Sequence, residues 1–342
     1  MNWTPPEDWM RIRTIDAHAE GEPLRVIVDG YPTLVGATIL DKRRHAKLHY
    51  DKVRTALMLE PRGHPDMYGC VLTEPVTPDG DAGVLFLHNE GYSSMCGHGI
   101  IALTTVAYET GMMIPTGGAP MLRLDTPAGR VTARADWDPI AQRVRRVAFE
   151  NVPAFVAAQD ARVDVPGLGQ VNYDLAYGGA FYAYVDASPL GFRLDGSETT
   201  ALIDVGMRIK RAVMAARSIT HPYEADLSFL YGTILCGPPH GTDAHSRNVC
   251  IFAEGEVDRS PTGTGVSGRV AIERARGRLG LNEDFVVESL IGTRFTGRVV
   301  RDAVYGPYLA VVPEISGRAW ITGRHEFLIA PDDPLAAGFR LV

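Results

Sequence analysis

The decapeptide GYSSMCGHGI, residues 91–100, sets Cys96 and His98 among glycines immediately before an apolar run. A thiol becomes a base or nucleophile only as thiolate, and a helix start lowers its pKa. A strand leading through a Gly-x-Gly turn into a helix also exposes unpaired backbone N–H groups, which together with the helix dipole form a seat for an anion. Cys96 is therefore expected to act as base or nucleophile with a pKa drawn toward neutrality. Gly97 and Gly99 allow a ligand to approach the backbone closely. The other cysteines differ: Cys70 and Cys250 lie inside strand-like runs, and with Cys236 they read as small buried hydrophobes.

The same pattern returns later in the chain. MCGHGIIALTTVAYETG aligns on PTGTGVSGRVAIERARG with an offset of 166 that places Cys96 on Thr262, Gly97 on Gly263, Gly99 on Gly265, Gly111 on Gly277 and Glu90 on Glu256. Each copy follows strand-like sequence and precedes a helix-length segment closed by glycine. Duplicated halves explain this, as would the chance coincidence of two glycine-rich helix starts. Two such starts facing each other would hold one carboxylate between two domains. A zinc site lacks the spaced second ligand pair beyond Cys96-x-His98. GTGVSG lacks the Lys-Ser/Thr of a P-loop, and the third glycine of a dinucleotide fingerprint is out of place. On the residues alone, an enzyme acting on an amino acid or carboxylate is favoured over a phosphate-binding module.

The elements that must position these residues are mostly strands. PLRVIVDG, YGCVLTEP, AGVLFLH, RVRRVAFENV, FYAYVDA and NVCIFAEG are rich in β-branched and aromatic residues and end in turn formers. MLRLDTPAGRVTARADW reads as a hairpin, and further strands follow in DFVVESLIGTRF, GPYLAVVPEI and RAWITGRHEFLI. Residues 41–60 and 197–216 read as amphipathic helices, the second with Leu202, Val205, Ile209 and Val213 along one stripe. Regular strand–helix alternation is absent, so the class is α+β with largely antiparallel sheets. A length of 342 residues suggests about two domains, and 45% hydrophobic residues suffice for their cores. The net charge of −7 gives no footprint for nucleic acid, and no apolar run is long enough for a membrane span. The N-terminal MNWTPPEDWM lacks the regions of a secretory signal, and four widely spaced cysteines suit free thiols, so the expected setting is the cytoplasm.

MCGHG together with DRSPTGTG resembles the proline racemase family, and the likeness extends through EGEPLRVI, EPRGHPDMYG, GTDAHSRNV and DPLAAGF over nearly the whole chain. The resemblance implies two pseudo-symmetric α+β domains, each a curled, mainly antiparallel β-sheet around a central helix as in diaminopimelate epimerase, with the active site between them. The expected division is 1–155 for the domain carrying Cys96, joined by C-terminal strands at 320–342, and 156–319 for the one carrying Thr262. It further implies no cofactor, no metal, a small imino acid substrate and a homodimer. Gly97 and His98 resemble one of the family's ligand-binding pairs, and Gly263 and Thr264 the other. Asp258 matches the aspartate that binds the ring nitrogen. Asp243 and His245 are weaker candidates, as readily explained by an ordinary turn, and His18 and His64 read as structural.

The chain departs from the family at one place: the second motif usually carries cysteine where Thr262 stands. Racemisation needs one group to remove the Cα proton and another on the opposite face to return one. An aliphatic hydroxyl has no accessible ionised form near neutral pH, so Thr262 cannot replace the second thiol. The Cys/Thr combination resembles the trans-3-hydroxy-L-proline dehydratases of the family. In that substrate the Cα proton and the 3-hydroxyl lie on the same ring face, so one thiol can remove the first and protonate the second. A proline or 4-hydroxyproline racemase or epimerase, and an inactive carboxylate-binding homologue, are the alternatives.

Overall fold

The computed structural model describes residues 3–115 and 119–341. Its first half opens with the hairpin β1 (Met10–Ala19) and β2 (Glu22–Asp29), whose two-residue turn, Glu20–Gly21, has both φ angles positive, as tight hairpins require. Two helices, α1 (Ile39–His49) and α2 (Asp51–Met58), cross to β3 (Tyr68–Thr73), which runs parallel to β2. The sequence predicts one helix over 41–60. It breaks at Tyr50, whose backbone leaves the helical region and which both ends α1 and begins α2, while Asp51 restarts the turn by pairing with Arg54 at 2.7 Å. A capping box between Thr38 and Asp41 starts α1 two residues earlier than the pattern suggests.

From β3 the chain returns antiparallel as β4 (Ala82–His88) and then β5 (Tyr92–Ser93), and enters α3 (Gly97–Glu109). The half ends in the antiparallel strands β6 (Met121–Thr126), β7 (Gly129–Asp138) and β8 (Arg143–Glu150), with β6 parallel to β4. The second half repeats this order. β9 (Ala154–Val165), β10 (Gly169–Tyr177) and β11 (Phe181–Asp186) precede α4 (Thr199–Ala216), and β12 (Leu230–Gly237) runs parallel to β11. β13 (Ser246–Phe252) and β14 (Glu256–Asp258) lead into α5 (Gly263–Ala275), and β15 (Phe285–Glu288), β16 (Arg294–Tyr305) and β17 (Tyr308–Gly317) follow. As β6 does with β4, β15 runs parallel to β13. The last strand, β18 (Ala319–Ile329), crosses back to pair with β1.

The α+β class and the two pseudo-symmetric halves are thus present, and among the described residues antiparallel strand pairs outnumber the four parallel ones. β17 pairs with both β8 and β9 and joins the halves into one hydrogen-bonded network. Each sheet curls around its own central helix. α3 packs against β1, β8 and β18, and α5 against β9, β16 and β17. Every residue of α3 from Gly97 to Tyr108 is buried, which accounts for a sequence apolar around the whole helix. Gly111 and Gly277 end the two helices in the left-handed region that glycine accepts best. The stripe of α4 is buried as its spacing predicts, Leu202, Val205, Ile209 and Val213 all facing the core.

Candidate active site

The two helix starts meet. A Cβ placed on Gly97 would lie 2.5 Å from the Gly263 Cα, so α3 and α5 touch backbone to backbone at their first residues. Beside this contact is a narrow cavity of about 20 Å³ lined by residues of both halves, among them Cys96, Gly97, His98, Asp258, Thr262, Gly263 and Thr264. The seven principal site residues named from the sequence are therefore in one place. Among the described residues, no group accepts from the amides of Gly97, His98, Gly263 or Thr264. Four N–H groups at two facing helix starts make a seat for one carboxylate.

Cys96 is the N-cap of α3, and its Sγ accepts the Gly99 amide at 3.2 Å and lies 3.2 Å from His98 Nδ1. Gly99 is required there, because a Cβ at that position would stand 2.9 Å from the sulfur. The expectation of a pKa drawn toward neutrality is not met in the narrow cavity. Burial pushes the Cys96 thiol well up, the Gly99 amide opposing it and the Asp258 charge adding to it. Burial also holds His98 neutral, with its pKa pulled down to about 3, so no imidazolium stabilises the thiolate.

The second helix start breaks the symmetry. Thr262 has φ 66°, in the left-handed region that a β-branched residue rarely adopts, and its side chain caps nothing. Its hydroxyl is buried and, among the described residues, has no hydrogen-bond partner. A strained backbone thus presents this buried hydroxyl to the cavity, beside the Asp258 carboxyl. Asp258 ends β14, buried, and accepts the Ser260 amide at 2.8 Å. Burial raises its carboxyl to about 6, against Ser260, Thr262 and Arg259.

Several lining residues carry no motif in the sequence. Tyr68, Tyr182, Tyr231 and Phe252 wall the cavity. Tyr68, Ser93 and Tyr231 share hydroxyl hydrogen bonds, with Ser93 Oγ 2.6 Å from Tyr231 Oη, and Tyr182 Oη lies 2.7 Å from Thr264 Oγ1. Cys250, expected in the core, is buried but also lines the cavity, because its place in β13 opposite Asp258 turns both side chains to one face. Its strand-like neighbours gave no sign of this. Cys70 and Cys236 are buried free thiols outside it. Asp243 and His245 are exposed and lie away from the cavity: Asp243 faces Arg294 at 3.7 Å, and His245 Nδ1 accepts the Val286 amide at 3.0 Å while its ring stacks on Phe285. His18 accepts the Gly21 amide and stacks on Trp320, also a structural role.

A wider hollow of about 490 Å³, lined in part by Arg269, Arg276, Arg278 and His245, shares no residue with this cavity. Its arginines are engaged by carboxylates, Arg276 with Asp160 and Asp174 and Arg278 with Glu273. Convergent chemistry, rather than size, selects the smaller cavity as the active-site candidate. Among the described residues, no group of three or more His, Cys, Asp or Glu side chains is arranged to hold a metal ion, and no helix is long and apolar enough to cross a membrane.

Comparison with known proteins agrees with this geometry. The chain is 46% identical over 342 residues to a trans-3-hydroxy-L-proline dehydratase of Colwellia psychrerythraea, covering 99% of this chain and 96% of that protein. It is 44% identical over 328 residues to a 3-hydroxyproline 2-epimerase of Burkholderia multivorans, covering 96% and 97%. The crystal structure of a hydroxyproline epimerase from Agrobacterium vitis, with bound trans-4-hydroxy-L-proline, superposes with a TM-score of 0.92 at 30% identity, covering 98% of this chain and 96% of that one. The family model described as proline racemase matches residues 14–340, and the chain belongs to the proline racemase family.

Proposed function

We propose that the protein is a cofactor-independent lyase that dehydrates trans-3-hydroxy-L-proline to Δ1-pyrroline-2-carboxylate. The observation that carries this reading is the pair at the two helix starts: Cys96 on one side, and on the other Thr262, an aliphatic hydroxyl where racemisation needs a second thiol. Relatives of similar identity bear both dehydratase and epimerase names, so overall likeness does not choose between them and the reading rests on the residue at 262.

In this reading the substrate carboxylate sits on the amides of Gly97, His98, Gly263 and Thr264, which oppose the negative charge developing at Cα. Asp258 faces the cationic ring nitrogen. Cys96, as thiolate, takes the Cα proton. As thiol it then protonates the 3-hydroxyl leaving from the same face, so that C–H and C–O bonds break, water departs and an enamine remains. The enamine tautomerises to the cyclic imine. Tyr68 and Tyr231, linked through Ser93, supply hydroxyls for the ring substituent, and Thr262 binds without titrating. Cys96→Ser tests the assignment: the variant is expected to stay folded and lose turnover of trans-3-hydroxy-L-proline, and near wild-type turnover would overturn it.

Cys250 favours a second reading. It is a thiol in the cavity wall contributed by the half that carries Thr262, and a thiol there returning a proton to the other face would give epimerisation. Retention of configuration at Cα in every recovered substrate rules this out.

The same reading assigns 1–155 with 320–342 to one domain and 156–319 to the other. The pairing of β18 with β1 supports this division. Four unpaired thiols fit a reducing, cytoplasmic setting, and the family likeness supports a homodimer, which light scattering on a sizing column tests.

A further inference from the structure

Two carboxylates of the first half lie outside the cavity and grip the strand that carries Asp258. Glu22, the first residue of β2, is wholly buried, and its Oε2 accepts the Arg259 amide at 2.7 Å. Asp66, in the loop before β3, accepts the Val257 amide through Oδ1 at 3.3 Å and pairs with the Arg259 guanidinium through Oδ2 at 2.9 Å. Val257 and Arg259 flank Asp258, so the peptide N–H on each side of it is held from the opposite half. The hold extends further along the chain. Asp258 accepts the Ser260 amide, and Ser260 Oγ accepts the Thr262 amide at 3.1 Å.

The turn before Glu22 is docked on the second half as well. Thr293 Oγ1 donates to the Glu20 carbonyl at 2.6 Å, and Gly21 lies so close under Ile291 that a Cβ would stand 2.4 Å from its Cδ1. Neither Glu22 nor Asp66 lines the cavity, which separates them from groups that touch substrate. Their cost is evident: Glu22 Oε1 is buried and, among the described residues, has no partner. A buried carboxyl left half satisfied is retained where it performs a task.

We propose that Glu22 and Asp66 are positioning residues, a two-carboxylate clamp across the seam that sets Asp258 and Thr262 against Cys96. Closing the halves on a substrate and placing the group that faces its ring nitrogen are then one event. The proposal rests on the assignment of Asp258 to the ring nitrogen, and its test includes a readout independent of that assignment.

Four variants are compared with wild type: Glu22→Gln, Glu22→Leu, Asp66→Asn and Asp66→Ala. Glutamine keeps a carbonyl oxygen for the Arg259 amide, and leucine does not. In Glu22→Leu the KM for trans-3-hydroxy-L-proline is expected to rise about tenfold with a smaller fall in kcat, while Glu22→Gln stays within about threefold of wild type on both. Asp66→Ala, at a partly exposed position, raises KM several-fold, and Asp66→Asn lies between it and wild type. Amide hydrogen exchange over residues 257–262 is expected to quicken in Glu22→Leu and Asp66→Ala without any ligand. Unchanged exchange in variants with wild-type circular dichroism would overturn the clamp, as would a Glu22→Gln enzyme as impaired as Glu22→Leu. Quickened exchange with unchanged KM would instead overturn the role of Asp258 and the positioning claim with it.

Discussion

The backbone contact between the two helix starts gives the sharpest perturbation. Ordinary van der Waals contact begins near 3.4 Å, whereas a Cβ on Gly97 would lie 2.5 Å from the Gly263 Cα and 2.9 Å from its carbonyl carbon. Both atoms are backbone, so Gly97→Ala is relieved only by moving α3 and α5 apart by roughly 1 Å. Such overpacking costs about 1–3 kcal/mol, a Tm lower by a few degrees in a chain of this size. The effect on chemistry should be larger. The amides at 97, 98, 263 and 264 all ride on the helix starts, and a misplacement of about 1 Å costs on the order of 100-fold in rate. The assay is kcat/KM for trans-3-hydroxy-L-proline, with Tm measured in parallel and Gly91→Ala as control, since nothing lies within 4 Å of a Cβ there. Gly97→Ala is expected to lose about 100-fold in kcat/KM while Gly91→Ala loses almost none. A Gly97→Ala enzyme with wild-type kcat/KM would refute the reasoning that the facing helix starts jointly hold the carboxylate.

Asp258 carries a pH prediction whose sign follows from its raised pKa. With a folded value of about 6 against 3.8 for the free side chain, its contribution to stability is fully present below about pH 4 and is lost as pH rises through 6, up to about 3 kcal/mol. Asp258→Asn is therefore expected to unfold at a higher temperature than wild type at pH 7, and at a similar one at pH 4, while its turnover falls by at least about tenfold; equal Tm differences at both pH values would contradict this. In the wild-type enzyme, KM should climb as pH falls below about 6, where Asp258 becomes neutral and no longer faces the ring nitrogen as an anion; a KM flat from pH 7 to 5 would count against that role. Thr262→Cys restores a titratable thiol at the second helix start, so L-proline inverted at Cα, absent with wild type, should become detectable by chiral chromatography. Tyr231→Phe removes one of three linked hydroxyls, and should raise KM for the 3-hydroxylated substrate about tenfold while leaving L-proline binding, measured by calorimetry, nearly unchanged.

The site was legible in the sequence where its residues lie in short motifs. Cys96, Gly97 and His98 at one helix start, and Asp258, Thr262, Gly263 and Thr264 at the other, share a cavity because the offset that aligned them reflects two halves of like topology. The strands were legible too, since alternation and turn residues bound them. What depends on long-range packing was not. Tyr68, Tyr182 and Tyr231 resemble any core aromatic until the sheets bring them to one wall, and Cys250 reached the cavity through its pairing with Asp258. The break at Tyr50 was hidden because no glycine or proline marks it, although the backbone there leaves the helical region. The Cys96 pKa was misjudged because local helix-start effects are visible in a sequence while complete burial between two halves is not. Asp243 and His245 fell within a family-like segment, yet their side chains face Arg294 of β16 and Val286 of β15, away from the cavity.

The most direct test of the single-thiol elimination is proton NMR of the purified protein in D2O with trans-3-hydroxy-L-proline, and separately with L-proline and trans-4-hydroxy-L-proline. The expected result is conversion of the first to Δ1-pyrroline-2-carboxylate, with no inversion at Cα in any of the three. Inversion at Cα without loss of water would contradict the elimination, and would point to Cys250 as the thiol that serves the second face.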